Sequence, residues 1–173
     1  MNFKTSILII AGEPNSVFLE IFFKSMKKVK IKSPLVLIGS YKLINLQMKK
    51  LNFKKKIKIL DKKILESYKL DNKTINLIDV KYNTNKAFEK ISPKSNNYVK
   101  KCFEMAFKLI KENKIKKIIN GPINKKNFLN KKYLGITEYI SSEFKFKKTA
   151  MLIYNKELSV CPITTHLPIK LVS

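Results

Sequence analysis

Short apolar runs alternate along this chain with stretches whose apolar residues recur at helical spacing. Residues 6–11 form a β-branched run closed by Gly12, the pattern of a buried strand. Gly12-Glu13-Pro14-Asn15-Ser16 reads as a loop. Ser16 stands where an N-cap is expected for an amphipathic helix through Phe18, Ile21, Phe22 and Met26. Pro34 opens a second strand over 35–38, closed by Gly39-Ser40, and a helix through Leu43, Leu46 and Met48 follows. Residues 57–60 and 74–80 predict two more strands. Residues 81–97, rich in Asn, Lys and Ser, read as a long loop. Ser95 is placed to cap the strongest helix of the chain, in which Val99, Cys102, Phe103, Ala106, Leu109 and Ile110 recur at helical spacing and Asn113 marks the end. A strand at 117–120 runs directly into Gly121-Pro122-Ile123-Asn124-Lys125. Short helices are expected around Phe128-Leu129 and over 137–144. The last elements are two strands, 150–154 and 158–163, joined by an Asn155-Lys156-Glu157 turn.

This alternation implies an α/β fold, a largely parallel sheet covered by helices with an antiparallel closing pair. Neither a GxGxxG motif after the first strand nor a GxxxxGK[ST] loop occurs, so both common phosphate-cradling loops are missing. Ligands of open α/β sheets bind beyond the carboxyl ends of the strands. The polar loops expected there are 12–15, 121–125 and 164–166.

Composition narrows the picture. The chain has 173 residues and 45% apolar content, enough for a real core. All 37 basic side chains are lysine, and the formal net charge is +25. Such a charge raises nucleic-acid binding as a reading. Against it, arginine is absent, the lysines lie in every segment, and no basic stripe alternates with aromatics. The chain therefore reads as having a solvated lysine surface and no specific nucleic-acid partner. Cys102 and Cys161 form no zinc-type spacing and, set among apolar residues, read as reduced packing residues of a cytoplasmic protein. The apolar run at 6–11 is too short to span a membrane, and no membrane partner is expected.

A few polar residues carry candidate chemistry. His166 is the only histidine; alone in Thr-Thr-His-Leu-Pro it reads either as a metal ligand or as a buried structural residue. Lys125, just past a strand end, is either a solvated lysine or a charge facing an anionic substrate group. Asn124 is either a turn residue or a substrate contact. Glu13 reads as the holder of its own loop through backbone N–H groups. Glu138 reads as a helix-start residue, and the Phe22-Phe23 and Phe103/Phe107 pairs as core.

Taken in order, these segments resemble the 4-hydroxythreonine-4-phosphate dehydrogenase family of vitamin B6 biosynthesis. Gly12-Glu13-Pro14 resembles its opening Gly-Glu/Asp-Pro loop, and 92–110 its Ser-rich approach to a long helix. Gly121-Pro122-Ile123-Asn124-Lys125 resembles its Ala-Pro-Ile-Asn-Lys segment, and Gly135-Ile136-Thr137-Glu138-Tyr139 its Gly-His-Thr-Glu-Phe segment. Ala150-Met151-Leu152 and Thr164-Thr165-His166-Leu167-Pro168 resemble its Met-Met-Leu strand and Thr-Thr-His-Leu-Pro signature. The resemblance implies a two-domain α/β fold like that of isocitrate and isopropylmalate dehydrogenases, with a mixed sheet. Residues 1–120 would belong to the first domain, and 121–173 would begin the second, dimerisation-side domain. It also implies oxidation of 4-phosphohydroxy-L-threonine with NAD (or NADP), followed by decarboxylation. A divalent cation (Zn, Mg or Co) held by three histidines would polarise the reacting oxygen. By this resemblance His166 matches the first metal histidine and Thr137 a substrate-binding residue. The family works as a homodimer, with ligands from both subunits.

The sequence departs from the pattern in three places. Ile136 stands where the family has a substrate-contacting histidine, and isoleucine donates no hydrogen bond. After Pro14 the family's glycines are replaced by Asn15-Ser16-Val17-Phe18-Leu19, although Glu20 fits. The remaining metal histidines, the phosphate contacts and the cofactor site of the family lie beyond position 173, and one imidazole does not make a metal site. The expectation is therefore an N-terminal portion of the enzyme, inactive alone, exposing apolar edges and prone to aggregation. Two alternatives stand beside it. One is a dehydrogenase of a related sugar-acid phosphate such as threonate or erythronate 4-phosphate; the other is a non-catalytic remnant or binding module.

Overall fold

The computed structural model describes residues 3–113, 115–129, 132–146 and 149–163. The chain divides into two compact units, Met1–Phe128 and Leu129–Ser173. The first is built on a five-stranded sheet, β1 (Ile7–Ile10), β2 (Leu35–Gly39), β3 (Ile57–Ile59), β4 (Ile75–Asp79) and β5 (Ile118–Asn120), in the spatial order β3-β4-β2-β1-β5. Every pairing in it is parallel; Ile9 lies beside Leu37 on one side and Ile119 on the other.

The central strands are buried on both faces, which is why they read as continuous apolar runs. Ile9, Ala11, Leu35, Leu37, Ile75 and Leu77 join a core with Leu19, Phe22 and Phe23 of α1 (Phe18–Lys28) and Leu43, Ile44 and Met48 of α2 (Tyr41–Lys50). Phe53, just after α2, stacks on Phe23 at 4.7 Å between ring centroids. Leu8, Ile10, Val36, Ile38 and Ile78, one step along each strand, point the other way. Helix α3 (Asn96–Asn113) packs against β1 and β2 and buries Tyr98, Val99, Cys102, Phe103, Ala106, Phe107 and Leu109.

Local chemistry explains several boundaries and corrects others. Ser40 caps α2, its hydroxyl accepting from Leu43 N at 3.3 Å. Ser16 does not occupy the cap of α1; that position is Val17. The Ser16 hydroxyl instead donates to Glu13 O at 2.8 Å and accepts from Phe18 N at 3.3 Å, closing the turn before the helix. Ile21, expected on the buried stripe, is 54% exposed, because Leu19 and Phe23 take the core-facing positions. Leu46 and Ile110 are only half-buried. Ser95 does not cap α3; it closes a 3₁₀ turn (Pro93–Ser95), and its side chain points elsewhere, as described below.

The second unit contains α5 (Ile136–Phe144) and no strand among the described residues; the short α4 (Lys125–Phe128) closes the first unit. The expected closing strands reduce to one antiparallel bridge, Ile153 with Val160, hydrogen-bonded both ways at 2.8 and 2.9 Å. Exposure there explains the difference: Leu152, Ile153, Tyr154, Leu158 and Val160 have no apolar layer over them, so pairing does not propagate. Of the two cysteines, Cys102 is buried as expected, whereas Cys161 is exposed and packs no core. Among the described residues no helix is long and apolar enough to cross a membrane.

Candidate functional site

The carboxyl ends of β1 and β5 are locked together by backbone. Gly121 N donates to Ile10 O at 2.7 Å, and Glu13 N donates to Pro122 O at 2.8 Å. Two glycines permit this approach. Gly12 has φ +69, and a Cβ there would lie 2.5 Å from Pro122 O; a Cβ on Gly121 would lie 2.5 Å from Ala11 O. The loops expected at the strand ends are thus one fastened structure.

Glu13 forms a second fastening. The residue is 4% exposed. Oε2 accepts from the Ser95 hydroxyl at 2.7 Å, and Oε1 accepts from Asn15 N at 3.4 Å. Ser95 also donates to Ser92 O at 2.9 Å. The buried carboxylate therefore ties the β1 loop to the start of α3 and holds its own loop, the role its sequence context suggests. Its pairing with Ser95 is not legible in sequence, since a serine before a helix looks like a cap whether or not it is one.

Asn124 and Lys125 leave β5 on the same edge. Asn124 Oδ1 accepts from Asn127 N at 3.0 Å and so caps the short helix α4. The side-chain amide of Asn96 donates to Asn127 O at 2.9 Å, and Phe128 stacks on Phe103 at 5.4 Å, which pins α4 to α3. Lys125 opens α4, is exposed, and forms no ion pair or side-chain hydrogen bond among the described residues. The asparagine performs the turn role of its two readings, and the lysine ammonium has no counter-charge among the described residues.

Further along the same edge, Tyr41 N donates to Asp79 Oδ1 at 2.8 Å and Ser40 N donates to the Tyr98 hydroxyl at 3.1 Å. Burial drives the Tyr98 pKa well above its ordinary value, with the neighbouring Cys102 adding to the rise. Burial likewise pushes the Cys102 thiol up to about 12. Tyr82 packs on Tyr98 at 4.7 Å between centroids. Its pKa is also raised, by burial and then by the charges of Glu13 and Glu89, against a hydrogen bond from the Asn15 side chain. Tyr82 lines a polar cavity of about 640 Å³ between Asn15 and the 82–94 loop, a concavity that composition alone does not reveal.

In the second unit, Thr137 is the second residue of α5, half-buried, between Ile136 and Glu138. Gly135 is the N-cap without a side-chain hydrogen bond, and Glu138 lies in the first turn, where a carboxylate suits the helix dipole. His166, with Thr164 and Thr165, lies outside the described residues. Among the described residues no three His, Cys, Asp or Glu side chains converge to hold a metal ion. They do not by themselves fit a cation centre.

The sequence and the fold match known proteins. The sequence model described as pyridoxal phosphate biosynthetic protein PdxA matches residues 30–173. The chain belongs to the PdxA family. A curated relative, the 4-hydroxythreonine-4-phosphate dehydrogenase of Sulfurihydrogenibium sp. (strain YO3AOP1), is 29% identical over 167 residues, covering 95% of this chain and 50% of the relative. Among solved structures, a 4-hydroxythreonine-4-phosphate dehydrogenase from Burkholderia phymatum superposes with a TM-score of 0.80 at 23% identity, over 98% of this chain and 52% of that one. The enzyme of the same name from Klebsiella pneumoniae gives 0.78 at 23% identity, over 96% and 52%. These structures share the PdxA-family α/β fold described above. The chain spans about half the length of the relatives it matches.

Proposed function

We propose that this chain is part of an NAD-dependent, divalent-metal-assisted enzyme that oxidises 4-phosphohydroxy-L-threonine, with loss of carbon dioxide, on the route to pyridoxine 5'-phosphate. The observation that supports this most is the PdxA match across residues 30–173, which includes both the Gly121–Lys125 loop and the His166 segment. In this reading Lys125 offers its ammonium to an anionic group of the substrate. Asn124 keeps α4, and with it Lys125, in place. Thr137 contacts substrate through its hydroxyl, and His166 is one ligand of a Zn, Mg or Co ion. When bound, NAD or NADP would supply the hydride acceptor for oxidation of the substrate hydroxyl, and the metal would supply a Lewis acid for that oxygen and for the loss of carbon dioxide. Further metal ligands and the cofactor site come from residues outside this span and from a second subunit of a cytoplasmic homodimer. Residues 1–120 then belong to the first domain and 121–173 to the second.

Protein containing this span is expected to form NADH from 4-phosphohydroxy-L-threonine in the presence of a divalent cation. Replacing His166 by Ala is expected to lower the rate by about a hundredfold or more. No NADH with any of the three cations, or full activity without His166, sinks the reading. The 173-residue span alone supplies one imidazole and is expected to give no turnover. Ile136 favours a second reading, oxidation of threonate or erythronate 4-phosphate, because it removes a polar substrate contact. A higher kcat/KM on those compounds than on 4-phosphohydroxy-L-threonine selects it.

A further inference from the structure

We infer that the cleft at the amino ends of β3 and β4 is a binding site for an oligophosphate chain, an anion with several adjoining phosphoryl groups. Five lysines from three separate segments converge there: Lys49 from the last turn of α2, Lys54, Lys55 and Lys56 from the loop before β3, and Lys73 from the turn before β4. They are five of the eight residues lining a cleft of about 830 Å³, a size that suits a small ligand. In a parallel sheet the amino ends of the strands share one edge. This cleft therefore lies at the opposite edge from the 12–15 loop and is separate from the candidate site described above.

Charge selects the ligand class. No acidic residue lines the cleft, and none of the five lysines forms an ion pair among the described residues. Asp71, two residues before Lys73, serves its own turn, where Oδ1 accepts from Lys73 N at 2.9 Å. The carboxyl end of α2 adds about half a negative charge, too little to offset five ammonium groups. A single phosphate brings about two negative charges and leaves most of the surplus unmatched. An oligophosphate matches more of it, with lysine ammonium groups acting as point charges toward its oxygens. Nothing in the lining reads a base. Phe53, the only aromatic residue there, is buried, stacks on Phe23 at 4.7 Å, and has Lys27 Nζ at 5.1 Å from its ring centroid. Arginine, whose fork reads bases, is absent from the chain. The phosphate chain, not an attached nucleoside, is what the cleft recognises.

The backbone that carries these lysines is fastened in all three segments. Asn52, at φ 48, turns the chain out of α2, and Phe53 N donates back to Met48 O at 2.9 Å. Lys56 O accepts from Ile75 N at 2.9 Å, which joins the loop before β3 to the start of β4. The Asn72 side chain accepts from Leu35 N at 2.9 Å and donates to Ser33 O at 2.9 Å, holding the turn that carries Lys73 against the start of β2. Like charges gathered in one cleft repel each other, and a polyanion among them relieves that repulsion. A backbone already held in place lowers the ordering cost of binding.

The test is a calorimetric titration of the 173-residue chain with inorganic tripolyphosphate at about 0.15 M salt, where the Debye length of about 8 Å suppresses diffuse attraction to a lysine-rich surface. Saturable binding at one equivalent is expected. ATP is expected to bind within about threefold of tripolyphosphate, because no ring is free to stack on its base. Replacing Lys54, Lys55 and Lys56 by Gln, and in a second variant Lys49 and Lys73 by Gln, is expected to weaken binding by about tenfold or more in each case. Replacing Lys62, Lys63 and Lys69, exposed lysines outside the cleft, by Gln is expected to change it by less than about threefold. Equal weakening by the cleft and control variants, loss in only one of the two cleft variants, or no saturable binding overturns the site; ATP binding tighter by more than about threefold overturns recognition of the phosphate chain alone. Amide shifts of the unmodified chain give a check that no variant affects: on titration they must move within 45–56 and at Lys73, and shifts spread over the lysines at large overturn the assignment. Neither measurement needs turnover, so failure here leaves the dehydrogenase reading untouched, and absence of dehydrogenase activity leaves this site standing.

Discussion

At the scale of single residues, Gly12 is the most constrained backbone position described. Its φ of +69 and the 2.5 Å separation between a notional Cβ and Pro122 O act together. Gly12→Ala is expected to cost about 2–4 kcal/mol, read as a lower urea midpoint at unchanged slope. Ser95→Ala leaves the buried Glu13 carboxylate one donor short, and a loss of about 1–3 kcal/mol is expected by the same measurement. The two thiols should separate cleanly. Cys161 is exposed and Cys102 buried, so a thiol reagent should modify one cysteine in the folded chain and two in denaturant. Cys102 also predicts an alkaline limit. Its pKa rises from 9.0 to about 12 on folding, so the folded chain holds this proton after the unfolded chain has lost it. The associated stability is complete below pH 9 and is lost progressively as pH climbs from there toward 12, at no more than about 1.4 kcal/mol per pH unit. Tyr98, raised in the same sense, adds to the decline above pH 10. Tm measured from pH 8 to 11 should fall, and Cys102→Ala should fall less steeply; a flat wild-type profile refutes this.

At the scale of elements, strands were the most legible part of the sequence. The central strands β1, β2 and β4 lie at largely apolar runs because both of their faces are buried, whereas the edge strands β3 and β5 are part-exposed and were marked only by short apolar runs. Helix α1 was legible in place but not in rotation. Phe18, Leu19, Ile21, Phe22, Phe23 and Met26 are too many apolar residues for one stripe, and only packing decides which of them face water. The consequence is measurable. Ile21→Ser should change stability by less than about 0.5 kcal/mol, whereas Phe23→Ala, at a position 2% exposed, should cost about 3–5 kcal/mol. The closing hairpin was legible only as a turn. Its alternation of apolar residues satisfies a strand pattern, but a strand needs a neighbour and a covering layer, and one bridge is all that forms among the described residues.

At the scale of the whole molecule, two opposing features meet. The net charge of +25 drives self-repulsion, while Leu152, Ile153, Tyr154, Leu158 and the 97%-exposed Ile163 present apolar surface in one stretch of chain. Salt should therefore decide solubility. Light scattering is expected to rise as salt screens the lysines, and replacing Leu152 and Leu158 by Lys should suppress that rise. Scattering independent of salt would contradict this balance.

The order of strands and helices, the parallel α/β class and the strand-end loops were written in the sequence, because each depends on neighbours a few residues away. The PdxA resemblance was readable for the same reason, carried by short segments in a fixed order and matched across 30–173. Tertiary structure alone decided the strand order, the exposed face of α1, the bond between Glu13 and a serine 82 residues distant, and the cavity between Asn15 and the 82–94 loop. Those features arise where segments far apart in sequence meet, and local pattern holds no record of which distant partner a side chain finds.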